Sequence, residues 1–161
     1  MSNIVNFPRR SVASQPLDSR CRVSSAQAVW RGGAQTGCGA ISVASAELAE
    51  KPYAFMARLA SGSSTNPEEL LAAAHASCFT RSLAQVLQAA GHTPAELSTK
   101  AVVTLEPDGA GVRVTVSALT VRAKIPNLTN AAFEAMAWQA EQRSAISNAL
   151  GAQITLDAAL I

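Results

Sequence analysis

A cysteine with basic residues at helical spacing on both sides is the feature of the sequence best suited to chemistry. Cys78 has His75 three residues before it and Arg81 three residues after it, so in a helix both lie within one turn of the thiol. A nearby cation favours the thiolate, which is the nucleophilic form of cysteine. A structural interpretation is also open, in which Cys78 is a small buried hydrophobe, His75 a hydrogen-bonded core histidine and Arg81 a solvated or ion-paired residue.

Two further charged residues allow either a chemical or a structural interpretation. Arg58 falls in the segment 52–59 (PYAFMARL), which predicts a strand with Met56 and Arg58 on one face and apolar residues on the other. An exposed charge at a sheet edge would explain Arg58 equally well. Glu68 falls in the first turn of a predicted helix, where a carboxylate interacts favourably with the helix dipole, and that role alone accounts for it.

The helix that carries Cys78 has the strongest secondary-structure signal in the chain. Thr65 or Asn66 is expected to cap it, Pro67 to occupy its first turn and Gly91 to end it. Its apolar residues occupy most of its circumference, which is typical of a central helix covered on several sides. A chain of this size has few elements to cover such a helix, and a dimer partner would solve that problem.

The remaining pattern predicts strands before, between and after the helices. Because hairpins join most of these strands, the fold class is α+β and not a repeating βαβ series. The predicted elements are two strands around 28–30 and 40–44 with a glycine-rich turn, a hairpin of 99–105 and 112–121, helices at 130–143 and 144–150, and a last strand at 152–160.

Composition limits the possible classes of protein. The chain has 161 residues, 48% of them hydrophobic and 15% charged, which fits one folded domain and excludes a wholly disordered chain. Residues 1–25 hold four arginines and one aspartate, so we expect a basic polar tail over 1–25 and a domain over 26–161. With a nearly neutral domain and few aromatic residues, we expect no nucleic-acid partner, and the lack of a long apolar run predicts no membrane span.

Cysteine usage points to a reducing compartment. The three cysteines are Cys21, Cys38 and Cys78, and no CxxC pair is present, which argues against a disulfide scaffold and against a zinc site. The first residues lack the apolar stretch of a secretory signal. We therefore expect a cytoplasmic protein without a bound metal or cofactor.

The segment 65–79 (TNPEELLAAAHASCF) closely resembles the central-helix signature of the OsmC/Ohr family, the osmotically inducible and organic hydroperoxide resistance proteins. Segments 28–32, 52–58, 90–94 and 154–157 resemble other parts of the family, so the likeness covers about residues 26–160. His75 and the overall spacing resemble the OsmC branch more than the Ohr branch.

The resemblance implies a thiol peroxidase that reduces organic hydroperoxides and, less efficiently, hydrogen peroxide. In that family pattern Cys78 is the peroxidatic cysteine, Arg58 stabilises its thiolate and orients the peroxide, and Glu68 holds Arg58. The implied fold is an intertwined homodimer, with antiparallel sheets around a long central helix and active sites at the subunit interface. No metal or cofactor takes part.

Apolar neighbours would give this site a preference for alkyl or fatty-acid hydroperoxides. The residues expected to bind the substrate are Tyr53, Met56, His75 and Phe79.

The spacing between Glu68 and Cys78 restricts how the two can cooperate. Ten residues correspond to about 15 Å along an unbroken helix, so the two side chains of one helix cannot meet. Either the helix begins after Glu68 and the chain folds back, or Glu68 serves the site of the other subunit.

The sequence departs from the family at the resolving cysteine. The family's Cys-Pro-x-Ser segment corresponds here to Ser144, Ala145, Ile146 and Ser147, and serine cannot form a disulfide with an oxidised thiol. Three alternatives follow: a one-cysteine peroxidase that uses an external thiol or dithiol, resolution by Cys21 or Cys38 instead, or loss of turnover. In the last case the protein would be a peroxide sensor, a small-molecule binder or a structural stress protein.

Overall fold

Two three-stranded sheets and three helices make up the described part of the chain, which in this computed structural model is residues 22–53 and 64–161. In chain order the elements are β1 (Ala26–Arg31), β2 (Cys38–Val43), β3 (Lys51–Tyr53), α1 (Pro67–Ala89), β4 (Glu96–Asp108), β5 (Gly111–Lys124), α2 (Asn130–Arg143), α3 (Ala145–Ala149) and β6 (Gln153–Leu160). This confirms the predicted α+β class.

The first sheet is an antiparallel arrangement of β1, β2 and β3 that packs mainly on itself. Gly39 is buried on β2, where an added Cβ would overlap the ring of Tyr53, so only glycine allows this close approach. The Tyr53 ring also lies beside Trp30, with 5.5 Å between ring centroids. No extensive contact links this sheet to the helices or to the second sheet among the described residues.

The long helix α1 begins and ends where the sequence predicts. The side chain of Asn66 caps it by accepting a hydrogen bond from the Glu69 N–H at 2.8 Å. Pro67 occupies its first turn, and Gly91, with a φ of +83°, follows its end in the left-handed conformation that glycine tolerates.

The second sheet contains the long β4–β5 hairpin and β6. The hairpin is antiparallel, with Glu96 opposite Lys124 at one end and Asp108 opposite Gly111 at the turn. The strand β6 runs parallel to β5, which departs from the purely antiparallel sheets that the family resemblance implied. The reason is the connection 125–152, which contains both α2 and α3 and is long enough to cross over the sheet.

The core lies between α1, α2 and the second sheet. Its largest fully buried apolar side chains are Phe79, Leu83 and Leu87 on α1 and Leu119 and Phe133 on β5 and α2. The opposite side of α1 stays exposed along Ala73, Ser77 and Arg81. The described residues therefore leave one side uncovered on a helix that the sequence predicts to be covered on several sides. None of the helices among the described residues is long and apolar enough to cross a membrane.

Candidate active site

The thiol of Cys78 lies halfway along α1, partly exposed, and contacts the start of α3. The Ser144 hydroxyl donates a hydrogen bond to Cys78 Sγ over 3.5 Å, although the two residues are 66 positions apart in sequence. Ser144 is fully buried and is the N-cap residue of α3. The residue at the expected resolving position therefore lies directly against the cysteine.

The surroundings of the thiol favour its ionised form. Burial raises the pKa of the Cys78 thiol, but hydrogen bonds from the Ser144 side chain and from the backbone of Ile146 and Ala145 lower it, as does the positive charge of Arg81. The net result is a pKa below the ordinary value. Because the thiolate is the nucleophile, this environment prepares Cys78 for reaction.

The imidazole of His75 is fully buried and bonded at both nitrogens. Its Nδ1 lies 2.7 Å from the Ser117 hydroxyl and its Nε2 lies 2.9 Å from the Ser147 hydroxyl. Burial lowers the pKa of His75, so the ring is neutral at pH 7. This arrangement fits the core-histidine interpretation, and it means that His75 supplies no positive charge to Cys78.

The carboxylate of Glu68 lies at the N-terminal end of α1. Because α1 begins at Pro67, Glu68 and Cys78 belong to one continuous helix, about 15 Å apart along its axis. The alternative in which the helix begins after Glu68 is therefore wrong. Glu68 borders a cavity of about 390 Å³ whose lining residues are Asn66, Glu68, Glu69, Ala72, Ala101, Val102, Val103 and Leu105.

The other residues named from the sequence are spread over different environments. Tyr53 is half-buried on β3. Phe79 lies on the face of α1 that packs into the core and is fully buried. Met56 and Arg58 lie outside the described residues. Among the described residues, no group of three or more His, Cys, Asp or Glu side chains is placed to hold a metal ion.

Of the remaining cysteines, only Cys38 belongs to the part of the chain that the structure describes. Cys38 is exposed at the start of β2, and Cys21 lies outside the described residues.

Two residues of the site, Ser117 and Ser147, had no role assigned from the sequence. Ser117 occupies an inward-facing position of β5, on the same face as the buried Leu119, Val121 and Ala123. A hydroxyl on an otherwise apolar strand face could have marked Ser117 in the sequence, because a buried polar group needs a hydrogen-bond partner. Ser147 corresponds to the serine of the family's Cys-Pro-x-Ser segment, and that correspondence is the signal that pointed to it.

The fold and the site together define an α+β protein with a helix-borne cysteine whose thiol is acidified. A family model described as "OsmC-like protein" matches residues 60–159, and the chain belongs to the OsmC family. It is 38% identical over 131 residues to "Peroxiredoxin OsmC" of Escherichia coli (strain K12), covering 81% of this chain and 92% of that protein.

Organic hydroperoxide resistance proteins are among the solved structures that share the fold. One is an organic hydroperoxide resistance protein OsmC from Legionella pneumophila, with a TM-score of 0.67, 22% identity and coverage of 86% of this chain and 99% of the other. The second is an organic hydroperoxide resistance protein from Elizabethkingia anophelis, with a TM-score of 0.70, 22% identity and coverage of 87% and 99%.

Proposed function

We propose that this protein is a thiol-dependent peroxidase that reduces organic hydroperoxides, and hydrogen peroxide more weakly, through Cys78. The observation that carries the proposal is the partly exposed Cys78 thiol, which receives a hydrogen bond from Ser144 and has a lowered pKa. Membership of the OsmC family and the relative named as a peroxiredoxin support a peroxide-related redox function.

The reaction begins with attack of the Cys78 thiolate on the distal oxygen of the hydroperoxide. The O–O bond breaks, the sulfur becomes a sulfenic acid, and the alkoxide leaves and takes up a proton to form the alcohol. In the proposed arrangement Arg58 supplies a fixed positive charge for the peroxide, because a guanidinium keeps its proton at any working pH. Glu68 keeps Arg58 in place, and Tyr53 and Met56 supply apolar contacts to the substrate.

We further propose that the working unit is a homodimer. Three observations support it: the first sheet packs mainly on itself, one side of α1 is exposed, and Glu68 is too far along α1 to reach Cys78 of its own chain. In a dimer the Glu68 of each subunit would serve the Cys78 of its partner. The exposed side of α1 and the first sheet would then be covered.

Turnover is proposed to follow a one-cysteine route. The residue against Cys78 is a serine, which cannot condense with a sulfenic acid to form a disulfide. An external thiol or dithiol would attack the sulfenic acid, release water and form a mixed disulfide, and a second thiol would then free Cys78.

The same serine favours one alternative function. Without an internal thiol at this position, oxidised Cys78 could persist as the signal of a peroxide sensor.

Intact-mass spectrometry tests the proposal. The reduced protein receives one equivalent of cumene hydroperoxide, with a sulfenic-acid trap, beside the Cys78→Ser and Cys38→Ser variants. We expect rapid formation of one trapped sulfenic acid, abolished in Cys78→Ser and retained in Cys38→Ser. In Ser144→Cys the same treatment gives an internal disulfide, since the two side-chain atoms already lie 3.5 Å apart.

Other outcomes of this experiment separate the alternatives. A disulfide from Cys78 to Cys21 or Cys38 would contradict the one-cysteine route and move the resolving role to that residue. An unreactive Cys78 would contradict the peroxidase proposal. Rapid oxidation without recovery in small thiols or dithiols would favour the sensor.

A further inference from the structure

A chain of hydrogen bonds, buried up to its last contact with the partly exposed Cys78, leads from His75 to the thiol. Starting at the imidazole, His75 Nε2 contacts the Ser147 hydroxyl at 2.9 Å, and the Ser147 N–H donates to Ser144 Oγ at 3.4 Å. Ser144 in turn donates to Cys78 Sγ at 3.5 Å. His75 Nδ1 extends the same network to Ser117 on β5 at 2.7 Å.

The donors and acceptors of these side chains match one another. A neutral imidazole offers one donor and one acceptor, so one of Ser117 and Ser147 accepts from the ring and the other donates to it. Ser144 Oγ accepts from a backbone N–H while its own proton points to the sulfur. Removing one member leaves buried polar groups without partners, which is costly, so the network tends to hold a single geometry.

The hydrogen bonds hold α3, which is too short to keep its position without contacts to the rest of the fold. The helix α3 has five residues, far fewer than a helix needs to be stable by itself, and it connects α2 to β6. The His75–Ser147 contact joins α3 to the same helix that carries Cys78, one turn away from the thiol. The Ser117 contact fixes the orientation of the ring that makes this connection.

We propose that His75 is a positioning residue for the peroxidatic cysteine: through Ser147 it holds α3 against α1, so that Ser144 donates to Cys78 Sγ. This inference rests on the proposed function for its role in catalysis, although its effect on the thiol can be measured separately. Burial lowers the pKa of His75 and so disfavours a positive charge on the ring, and both its nitrogens are engaged by serines rather than by the thiol.

The proposal is tested by measuring the rate at which iodoacetamide alkylates Cys78 as a function of pH. The measurement uses the full chain with Cys21 and Cys38 replaced by serine. His75→Asn keeps a polar atom near the Nδ1 position alone, and Ser147→Ala removes the contact to α3. We expect both to raise the apparent pKa of Cys78 by about one unit, which lowers the thiolate fraction at neutral pH by up to about tenfold. His75→Gln, with an amide near the Nε2 position, should recover most of this loss.

The control is a second hydrogen bond between α1 and its surroundings. Thr80 Oγ1 lies 2.7 Å from Thr99 Oγ1 and joins α1 to β4, two residues from Cys78 but not through α3. Thr99→Val should lower the melting temperature as Ser147→Ala does, without moving the apparent pKa of Cys78. A merely structural role for His75 would make all these variants alike in the pH profile.

The pH profiles of these variants either support or overturn the positioning role of His75. An unchanged pH profile in Ser147→Ala would overturn the proposal, and this variant serves equally if the His75 variants fail to fold. A shift of the same size in Thr99→Val would also overturn it. If the profile shifts as expected while wild-type Cys78 does not react with cumene hydroperoxide, the positioning role stands and the proposed peroxidase function fails.

Discussion

The middle and the N-terminal end of α1 carry the two residues with the strongest chemical interpretation, and their surroundings differ. Around Cys78, the chain itself supplies the partners, since Ser144 and the backbone of Ala145 and Ile146 contact the thiol. Around Glu68, the helix end borders a cavity of about 390 Å³ against β4. The acidity of the thiol is therefore a property of one folded chain.

The difference suggests that the two regions of α1 contribute to different steps, namely reaction with peroxide and ionisation of the thiol. If Glu68 acts in the partner's site, peroxide reduction requires assembly while the ionisation of Cys78 does not. Variants near the N-terminal end of α1 and variants near its middle should then affect different quantities. Changes near Glu68 should lower the rate with peroxide, and changes near Ser144 should move the pH profile of the thiol.

The largest effect after loss of Cys78 itself is expected from Glu68→Gln. We expect the second-order rate constant with cumene hydroperoxide to fall by about tenfold to a hundredfold, because the Arg58 guanidinium that orients the peroxide in the proposed arrangement loses the carboxylate that holds it. The apparent pKa of Cys78 should change much less than the rate, because the hydrogen bonds from Ser144 and from the backbone of Ala145 and Ile146 remain in this variant. Glu69→Gln is the matched control, since that side chain accepts from Thr65 at 3.0 Å and faces the cap of α1. Equal losses in both variants would contradict the specific role of Glu68.

Mixing variants tests whether Glu68 acts across the dimer. When Cys78→Ser and Glu68→Gln chains are unfolded and refolded together, random pairing makes half of the dimers mixed, and each mixed dimer has one intact site if Glu68 serves its partner. Activity should return to about a quarter of the wild-type value. If both residues act within one chain, the activity stays at the residual level of the Glu68→Gln chains.

A smaller effect is expected from Ser144→Ala, and it should appear as a change in pH dependence. Because hydrogen bonds hold the pKa of Cys78 below its ordinary value, wild-type reactivity rises at a lower pH than for a free thiol. Losing the Ser144 donor should move this rise upward by about one pH unit. Stopped-flow measurements over pH 5–10 would show it. A profile that moves downward would show that Ser144 opposes ionisation.

The smallest effect is expected from Arg81→Gln. Arg81 is exposed, and its charge lowers the pKa of Cys78 through a solvent-screened interaction. We expect a rise of about 0.3 units at low ionic strength, which added salt removes. Arg113→Gln, at the far hairpin, is the control and should leave the profile as it is. A full unit of change in Arg81→Gln would mean that the guanidinium contacts the thiolate directly.

Local signals predicted the elements well because each depends on neighbouring residues. The cap at Asn66 and the glycine at 91 bound α1, and the predicted second helix matches α2 at Asn130–Arg143. The family signature marked Cys78 and Glu68 and aligned Ser144 with the resolving position. The structure adds that Ser144 contacts Cys78. Because the two residues are 66 positions apart, their spacing in the sequence could not predict this contact.

His75 illustrates the limit of spacing as evidence. Its position one turn from Cys78 suggested a cation beside the thiol, and the core-histidine alternative could not be separated from it. Burial decided between them, because a fully buried imidazole bonded to two serines stays neutral. The two serines come from elements 42 and 72 residues away along the chain.

By itself the sequence determined the fold class, the bounds of the helices and the family, since capping, periodicity and a contiguous motif are local properties. Only the tertiary structure decided which groups surround the Cys78 thiol and that burial lowers the pKa of the neighbouring His75. Hydrogen bonds and desolvation depend on distances in space, and the folding of β5 and α3 onto α1 brought those residues together.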